Sequence, residues 1–250
     1  MIKLSDRLML IASQIDNSET MADVGTDHGF LPMYLADEGI CPRVILADVS
    51  KGSLEKGRQN VSRMIKDRYE RGRFFEEGTF DYRLGDGIRV LKHGEVDAVV
   101  IAGMGGILIA DIITDDMEKA VSLKKYVLQP RNNQGKLRYS LMQKGFEIKK
   151  NLLVREGKFI CDVIVVSAPE RPDLNIELPY SEGDIRYEVP DNLLENGELA
   201  TEYIERRLRK EKEILESLGK SGVITDEIRR KELYFRERII YLSDLLGGKA

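Results

Sequence analysis

Apolar residues along the chain follow two periods. Leu4, Leu8, Ile11 and Ile15 recur at helical spacing, which predicts an amphipathic helix over the first fifteen residues. From there to about residue 168, short apolar runs alternate with helical stretches. MADVG, VILAD, FDYRLGD, VDAVVIAGMGG, YVLQP, FEIKKNLLV and FICDVIVVSA read as seven strands, with helices expected near 29–38, 51–69, 106–119 and 135–144. This alternation predicts an α/β fold, a parallel sheet with helices on both faces. The last two strands have no helix between them, so they are expected to form an antiparallel hairpin that closes one edge of the sheet.

Near Pro169 the pattern changes. Residues 169–197 contain Pro169, Pro172, Pro179 and Pro190 among many acids, which predicts an extended connector. Beyond it, two helices are expected at about 198–218 and 224–246, separated by Gly219-Lys220-Ser221-Gly222. Ile204, Leu208, Leu215 and Leu218 stripe the first. Ile228, Phe235 and Leu242 lie seven apart on the second, beside Ile239 and Leu246. A short turn with two glycines favours an antiparallel, coiled-coil-like hairpin. Such a hairpin suits packing or dimerisation as well as it suits substrate binding. The chain therefore divides into a domain of residues 1–168, an acidic Pro-rich connector 169–197 and a helical hairpin 198–250. A cut after residue 168 is expected to leave the first part folded.

Composition supports this division. The 250 residues, 42% hydrophobic, suffice for one α/β domain with an appendage. The net charge of −4 sits in the connector: residues 169–195 hold two Lys/Arg against eight Asp/Glu, while the flanking parts are nearly balanced. Either larger part can therefore present a basic face to a nucleic acid. Cys41, Cys161, His28 and His93 have no metal-site spacing, and a zinc site needs about four ligands, so no metal is expected. The first residues, MIKLSDRLMLIASQID, lack both a signal-peptide pattern and the roughly 20 apolar residues of a membrane span. A cytoplasmic protein is expected.

The candidate chemistry lies at strand ends. Asp23-Val24-Gly25-Thr26-Asp27-His28-Gly29 follows the first strand and opens a helix. Glycines there let the backbone turn sharply and approach a ligand closely. Asp23 and Asp27 would repel a pyrophosphate but attract the sulfonium and ammonium of S-adenosylmethionine, so charge favours that cofactor over a dinucleotide. Asp48 ends the second strand, where an acid can accept both ribose hydroxyls. Gly85-Asp86-Gly87 follows the third, where a carboxylate can take an adenine amino group. A helix cap for Asp48 and a plain turn for Asp86 are the structural alternatives. The fourth strand enters Ala102-Gly103-Met104-Gly105-Gly106, without the Asn/Asp-Pro-Pro-aromatic turn that grips exocyclic amines. That departure points to a ring nitrogen, whose in-plane lone pair is already free to attack a methyl sulfonium. Gln129-Pro130-Arg131-Asn132-Asn133, after the fifth strand, supplies amides suited to a base edge and an arginine suited to phosphate, or else is simply a polar loop.

With these motifs, the chain resembles the bacterial family that methylates N1 of adenine 22 in transfer RNA. KLSDRLMLIA, MADVGTDHGFLP, GDG before a short helix, VIAGMGG, VLQPRNN and a terminal helical hairpin carry the resemblance. It implies a Rossmann-like, seven-stranded methyltransferase sheet, S-adenosyl-L-methionine as donor, tRNA as partner and a helical tail that helps engage the RNA. It also implies that Asp23, Gly25, Asp27, His28 and Gly29 line the methionine end, with Asp48 and Val49 at the ribose. Asp86 and Gly87 would take the adenine, while Gly103, Met104, Gly105 and Gly106 flank the transferred methyl. Asp48 stands where relatives carry glutamate, which preserves the carboxylate. On this reading Asp27 is the catalytic carboxylate, stabilising the growing cation or accepting an N6 proton. Substrate contacts are expected from Lys3, Arg7, Gln129, Arg131, Asn132 and Asn133, and from the tail arginines Arg206, Arg207, Arg209, Arg229 and Arg230. The tail arginines suit a solvated helical face laced with Glu–Arg pairs equally well. Two rival readings stay open: a methyltransferase acting on a small molecule or protein, and a non-catalytic RNA-binding scaffold.

Overall fold

The computed structural model describes residues 2–219 and 225–247. Helix α1 (Asp6–Ala12) begins where the Ser5 hydroxyl accepts the Leu8 N–H, and Ile15, beyond its end, remains buried. Strands β1 (Met21–Val24), β2 (Val44–Asp48) and β3 (Phe80–Leu84) then alternate with α2 (Phe30–Asp37) and α3 (Lys51–Glu70). Next come β4 (Ala98–Met104), α4 (Gly106–Thr114), α5 (Met117–Ser122), β5 (Lys125–Pro130) and α6 (Gln134–Gln143). The hairpin β6 (Glu147–Glu156) and β7 (Phe159–Ser167) closes the sheet. The strand order is β3-β2-β1-β4-β5-β7-β6; β1 to β5 are mutually parallel and β7 runs antiparallel to both its neighbours.

The seven strands and the antiparallel edge agree with expectation. Strands β1 and β2 are buried along their whole length, because helices cover both faces. Ala22, Ile45, Val99 and Ile101 meet α4 and α6 on one side, while Met21, Leu46 and Val100 meet α1, α2 and α3 on the other. The chain direction across the sheet reverses at β1 and β4, so a crevice opens at their carboxyl ends.

Two expectations need correction. The helix expected over 106–119 is broken, because the Asp116 carboxylate accepts the Lys119 N–H and starts a new helix. The connector is not extended throughout. It holds α7 (Ile185–Glu188) and a 3₁₀ turn (Asp191–Asn196), whose Ile185, Val189 and Leu193 are buried with Leu153 of β6. Ala200 and Ile204 of α8 (Glu198–Gly219) and Leu242 of α9 (Asp226–Gly247) join the same cluster. The two helices run antiparallel, since Arg238 of α9 donates to Glu211 of α8 while Leu242 lies with Ile204. Of the turn expected at Gly219-Lys220-Ser221-Gly222, residues Lys220 to Gly222 lie outside the described residues.

The tail also reaches a buried ion pair of the first 168 residues. Arg138 of α6 is 2% exposed and donates to Asp162 (2.7 Å) and Asn151 (2.8 Å). It also donates to the carbonyls of Tyr187 and Glu188, and the Tyr203 hydroxyl donates to the other Asp162 oxygen at 3.1 Å. A cut at 168 would leave this ion pair but remove the carbonyls and the hydroxyl that complete its hydrogen bonding.

Candidate active site

A cleft of about 510 Å³ lies at the carboxyl ends of the parallel strands, within the usual range for a small-ligand site. Its walls come from Asp23, Gly25, Asp27 and His28 around the end of β1, Asp48 and Val49 after β2, and Asp86 and Gly87 after β3. Gly103 and Met104 at the end of β4, Arg131 after β5, and Arg7 and Leu8 of α1 complete it. One cleft thus gathers carboxylates from three successive strand ends.

The turn after β1 is held by its neighbours. The Gly25 and Thr26 N–H groups donate to the Ala47 carbonyl at 2.8 and 3.1 Å. Gly25 has φ +79°, a conformation that L side chains rarely adopt, and a Cβ there would push aside the Met104 methyl. Asp27 also adopts a positive φ of 44°, a conformation that aspartate tolerates better than most residues. This turn aims its N–H at Asp48 Oδ2 (3.3 Å), while the Ser50 N–H donates to Asp48 Oδ1 (2.7 Å). Asp48 is thereby fixed, and its carboxylate braces the loop that carries Asp27. Asp27 itself is exposed, with its carboxylate 3.4 Å from His28 Nε2, and the His28 ring stacks on Phe30.

Asp23 is the most perturbed group in the cleft. Burial pushes its carboxyl up from 3.8 to about 6, and the Asp48 charge adds to the rise. The Thr26 hydroxyl, which donates to it at 2.8 Å, and the Arg7 cation act in the opposite sense. A buried acid of this kind stores unfavourable charge that a bound cation would relieve.

Not every residue picked from sequence reaches the cleft. Gly29 lies behind it: a Cβ there would meet Leu46 Cδ2 at 2.8 Å, so this glycine serves the packing of α2 on β2. Gly106 faces the Asn132 and Asn133 carbonyls, where a Cβ would come within 2.7 Å of both oxygens, and Gly105 lies against the Asn132 side chain. These two glycines, with Asn132 and Asn133, therefore knit the turn after β4 to the turn after β5. Gln129 is 2% exposed and its amide is spent inside the protein. Its oxygen accepts from Arg7 (3.0 Å) and Gly103 N–H (3.2 Å), and its nitrogen donates to the Pro130 carbonyl. Arg7 is held as well, by Glu156 at 2.6 Å. Lys3 is exposed outside the lining, whereas Arg131 lines the cleft. In the tail, Arg207 is sequestered by Glu188 and Glu211, and Arg206 pairs with Glu202.

Sequence reading missed the apolar wall. Phe30, Leu108 and Ile112 line the cleft from α2 and α4. The available signal was positional: the first two turns of helices that follow glycine turns border the ligand crevice in such sheets.

A methyltransferase-domain family matches residues 4–164. The chain is 30% identical over 170 residues to the tRNA (adenine(22)-N(1))-methyltransferase of Bacillus subtilis, which covers 68% of this chain and 67% of that protein. A protein of the NADB-Rossmann superfamily from Streptococcus agalactiae has a similar fold, with a TM-score of 0.79 and 26% identity over 98% of this chain and 97% of that one. The M. capricolum TrmK, solved with S-adenosyl-homocysteine, matches 98% of both chains with a TM-score of 0.74 at 21% identity.

Proposed function

We infer the chemistry of the cleft from one premise: the chain belongs to the family of tRNA (adenine(22)-N(1))-methyltransferases, whose fold is the Rossmann-like methyltransferase domain. The protein transfers a methyl group from S-adenosyl-L-methionine to N1 of adenine 22 in tRNA, and does so in the cytoplasm, where tRNA is found. The observation that carries this reading is the set Asp23, Asp48 and Asp86 at three successive strand ends around one cleft. A scaffold that only bound RNA would have no need of acids at the ends of β1, β2 and β3.

When bound, S-adenosylmethionine would supply a methyl group on cationic sulfur: the in-plane lone pair of adenine N1 would bond to the methyl carbon as the C–S bond breaks, with S-adenosylhomocysteine as the leaving group. The protein has five tasks around that displacement. Asp23 and the turn after β1 hold the positively charged methionine end. Asp48, already fixed by two backbone N–H groups, accepts the ribose hydroxyls. Val49 lies beside the ribose, and Asp86 and Gly87 receive the adenine ring of the donor. Asp27, exposed at the cleft and held in its turn by Asp48, stabilises the positive charge that N1 methylation places on the target base. Arg131 meets RNA phosphate at the cleft edge. The target adenine must leave its stack to enter, as bases generally do for such chemistry.

The raised Asp23 carboxyl gives this reading a pH signature. In the free protein Asp23 is protonated below about pH 6 and ionised above it. A cation favours the ionised form, so cofactor affinity should rise with pH and level off above that point. Below it, affinity should fall by up to about tenfold per pH unit. Calorimetry from about pH 5 to pH 8 checks this, and Asp23→Asn should flatten the curve. A flat wild-type curve would remove Asp23 from the cation site.

Single-turnover methyl transfer tests the reaction. Wild-type protein should methylate unmodified tRNA but not a transcript with guanine at position 22. Asp27→Ala should lower the rate about 100-fold, with smaller changes in affinity for either substrate. Transfer to the guanine transcript at the wild-type rate would defeat the assignment of the target.

A further inference from the structure

Outside the cleft, one surface combines an exposed aromatic ring with unneutralised cations. The tip of the β6–β7 hairpin is Gly157-Lys158, followed by Phe159, which is 63% exposed. The Lys158 ammonium lies 5.3 Å from the centroid of the Phe159 ring. Beside the ring runs a groove of about 230 Å³, lined by Phe159, Ile160, Tyr203, Arg206, Arg207 and Lys210. The Arg206 guanidinium donates to the Lys158 carbonyl at 2.7 Å, which fastens the tip to α8.

Charge at this surface is unbalanced. Arg155 and Arg206 share a single carboxylate, Glu202. Among the described residues, Lys158 and Lys210 have no carboxylate within ion-pair distance. Arg207 is neutralised beneath the surface by Glu188 and Glu211 and adds little outward charge. The exposed face is therefore cationic although the chain as a whole is acidic. The tip also lies at the cleft end of the sheet, because β7 runs antiparallel to β5, and Glu156 at its base holds Arg7, which lines the cleft.

We propose that the β6–β7 tip and the adjoining face of α8 hold the RNA substrate outside the cleft, with an unstacked base on the ring of Phe159 and phosphates at Lys158, Arg206 and Lys210. This rests on the tRNA reading above. A base stacks on an aromatic face regardless of its identity, and flanking cations follow the backbone, which is how proteins generally grip unpaired RNA. A cation already lying over Phe159 keeps charge beside the stacked base. The surface lies at the same end of the sheet as the cleft, so it can fix the approach of the RNA without entering the reaction.

The test uses the full chain and unmodified tRNA, with filter binding across a salt series, light scattering and steady-state methylation. Phe159→Ala should weaken tRNA binding about tenfold. It should raise KM for tRNA while leaving kcat at saturating RNA within about twofold. Phe159→Trp should restore binding. Lys158→Ala with Lys210→Ala should make the salt dependence shallower by about 1.5 in log–log slope. Affinity for S-adenosylmethionine should stay at the wild-type value in each variant, which also reports an intact fold. If wild-type protein binds tRNA and the variants bind it equally well with the same salt slope, this surface is not an RNA contact. Altered self-association with unchanged RNA affinity would likewise overturn it and make Phe159 a contact between two copies of the chain. If wild-type protein binds no tRNA, the tRNA reading itself falls and this surface with it.

Discussion

Replacing Arg138 with leucine should lower the stability of the protein by about 3–5 kcal/mol, the usual effect of removing one partner from a buried ion pair. The side chain is 2% exposed and its partner Asp162 is fully buried. Leucine would fill part of the volume but leave the Asp162 carboxylate with only the Tyr203 hydroxyl at 3.1 Å. Asn151 and the Tyr187 and Glu188 carbonyls would lose their donor as well. Such a loss is a large share of the roughly 5–15 kcal/mol that stabilises a typical domain. Urea unfolding should show it as a lower midpoint with an unchanged slope. Arg138→Leu combined with Asp162→Leu should recover part of the loss, because two apolar groups leave no stranded charge. A single-variant loss below about 1 kcal/mol would mean that the junction of sheet and tail does not depend on this pair.

Asp48→Ala should weaken binding of S-adenosylmethionine by about 1–3 kcal/mol, or roughly 5- to 150-fold. Two effects add. The ribose hydroxyls lose a charged acceptor, and the Asp27 and Ser50 N–H groups lose the carboxylate that positions them. The fold should persist, since Asp48 lies at the end of β2 and outside both apolar clusters that cover the sheet. Calorimetry measures the affinity directly. Wild-type affinity in this variant would place the ribose elsewhere and undo the register of motifs along the strand ends.

How far the sequence reveals this protein depends on whether a residue's partner is near it along the chain. Strands and helices of the sheet are legible because short apolar runs and an apolar period of 3.6 are local properties. The acids at strand ends are legible for a related reason: the order of strands and turns places each near the crevice. The break at Asp116 is local too, but an apolar pattern that continues across it hides the cap. Ile185, Val189 and Leu193 have helical spacing, yet four prolines and many acids around them argue for an extended chain. Their burial depends on β6, more than 30 residues away. Arg138 in QGKLRYSLMQ looks like an ordinary solvated charge, and only Asp162 and the connector carbonyls make it a core residue. Arg207 and Arg206 are adjacent in sequence and face opposite environments, one inward to Glu188 and the other to the surface. Gln129 likewise reads as a base-binding amide, but it occupies an inward position of β5 and serves Arg7 and Gly103.

The most direct test of the central claim is to incubate the full chain with S-adenosylmethionine carrying a labelled methyl group and bulk unmodified tRNA. The RNA is then digested to nucleosides and, in parallel, the modified position is mapped. Methylation of the ring nitrogen at the proposed target predicts label in 1-methyladenosine alone, at position 22. Label in N6-methyladenosine, at another nucleotide, or absent from RNA under conditions where the cofactor binds would contradict the account.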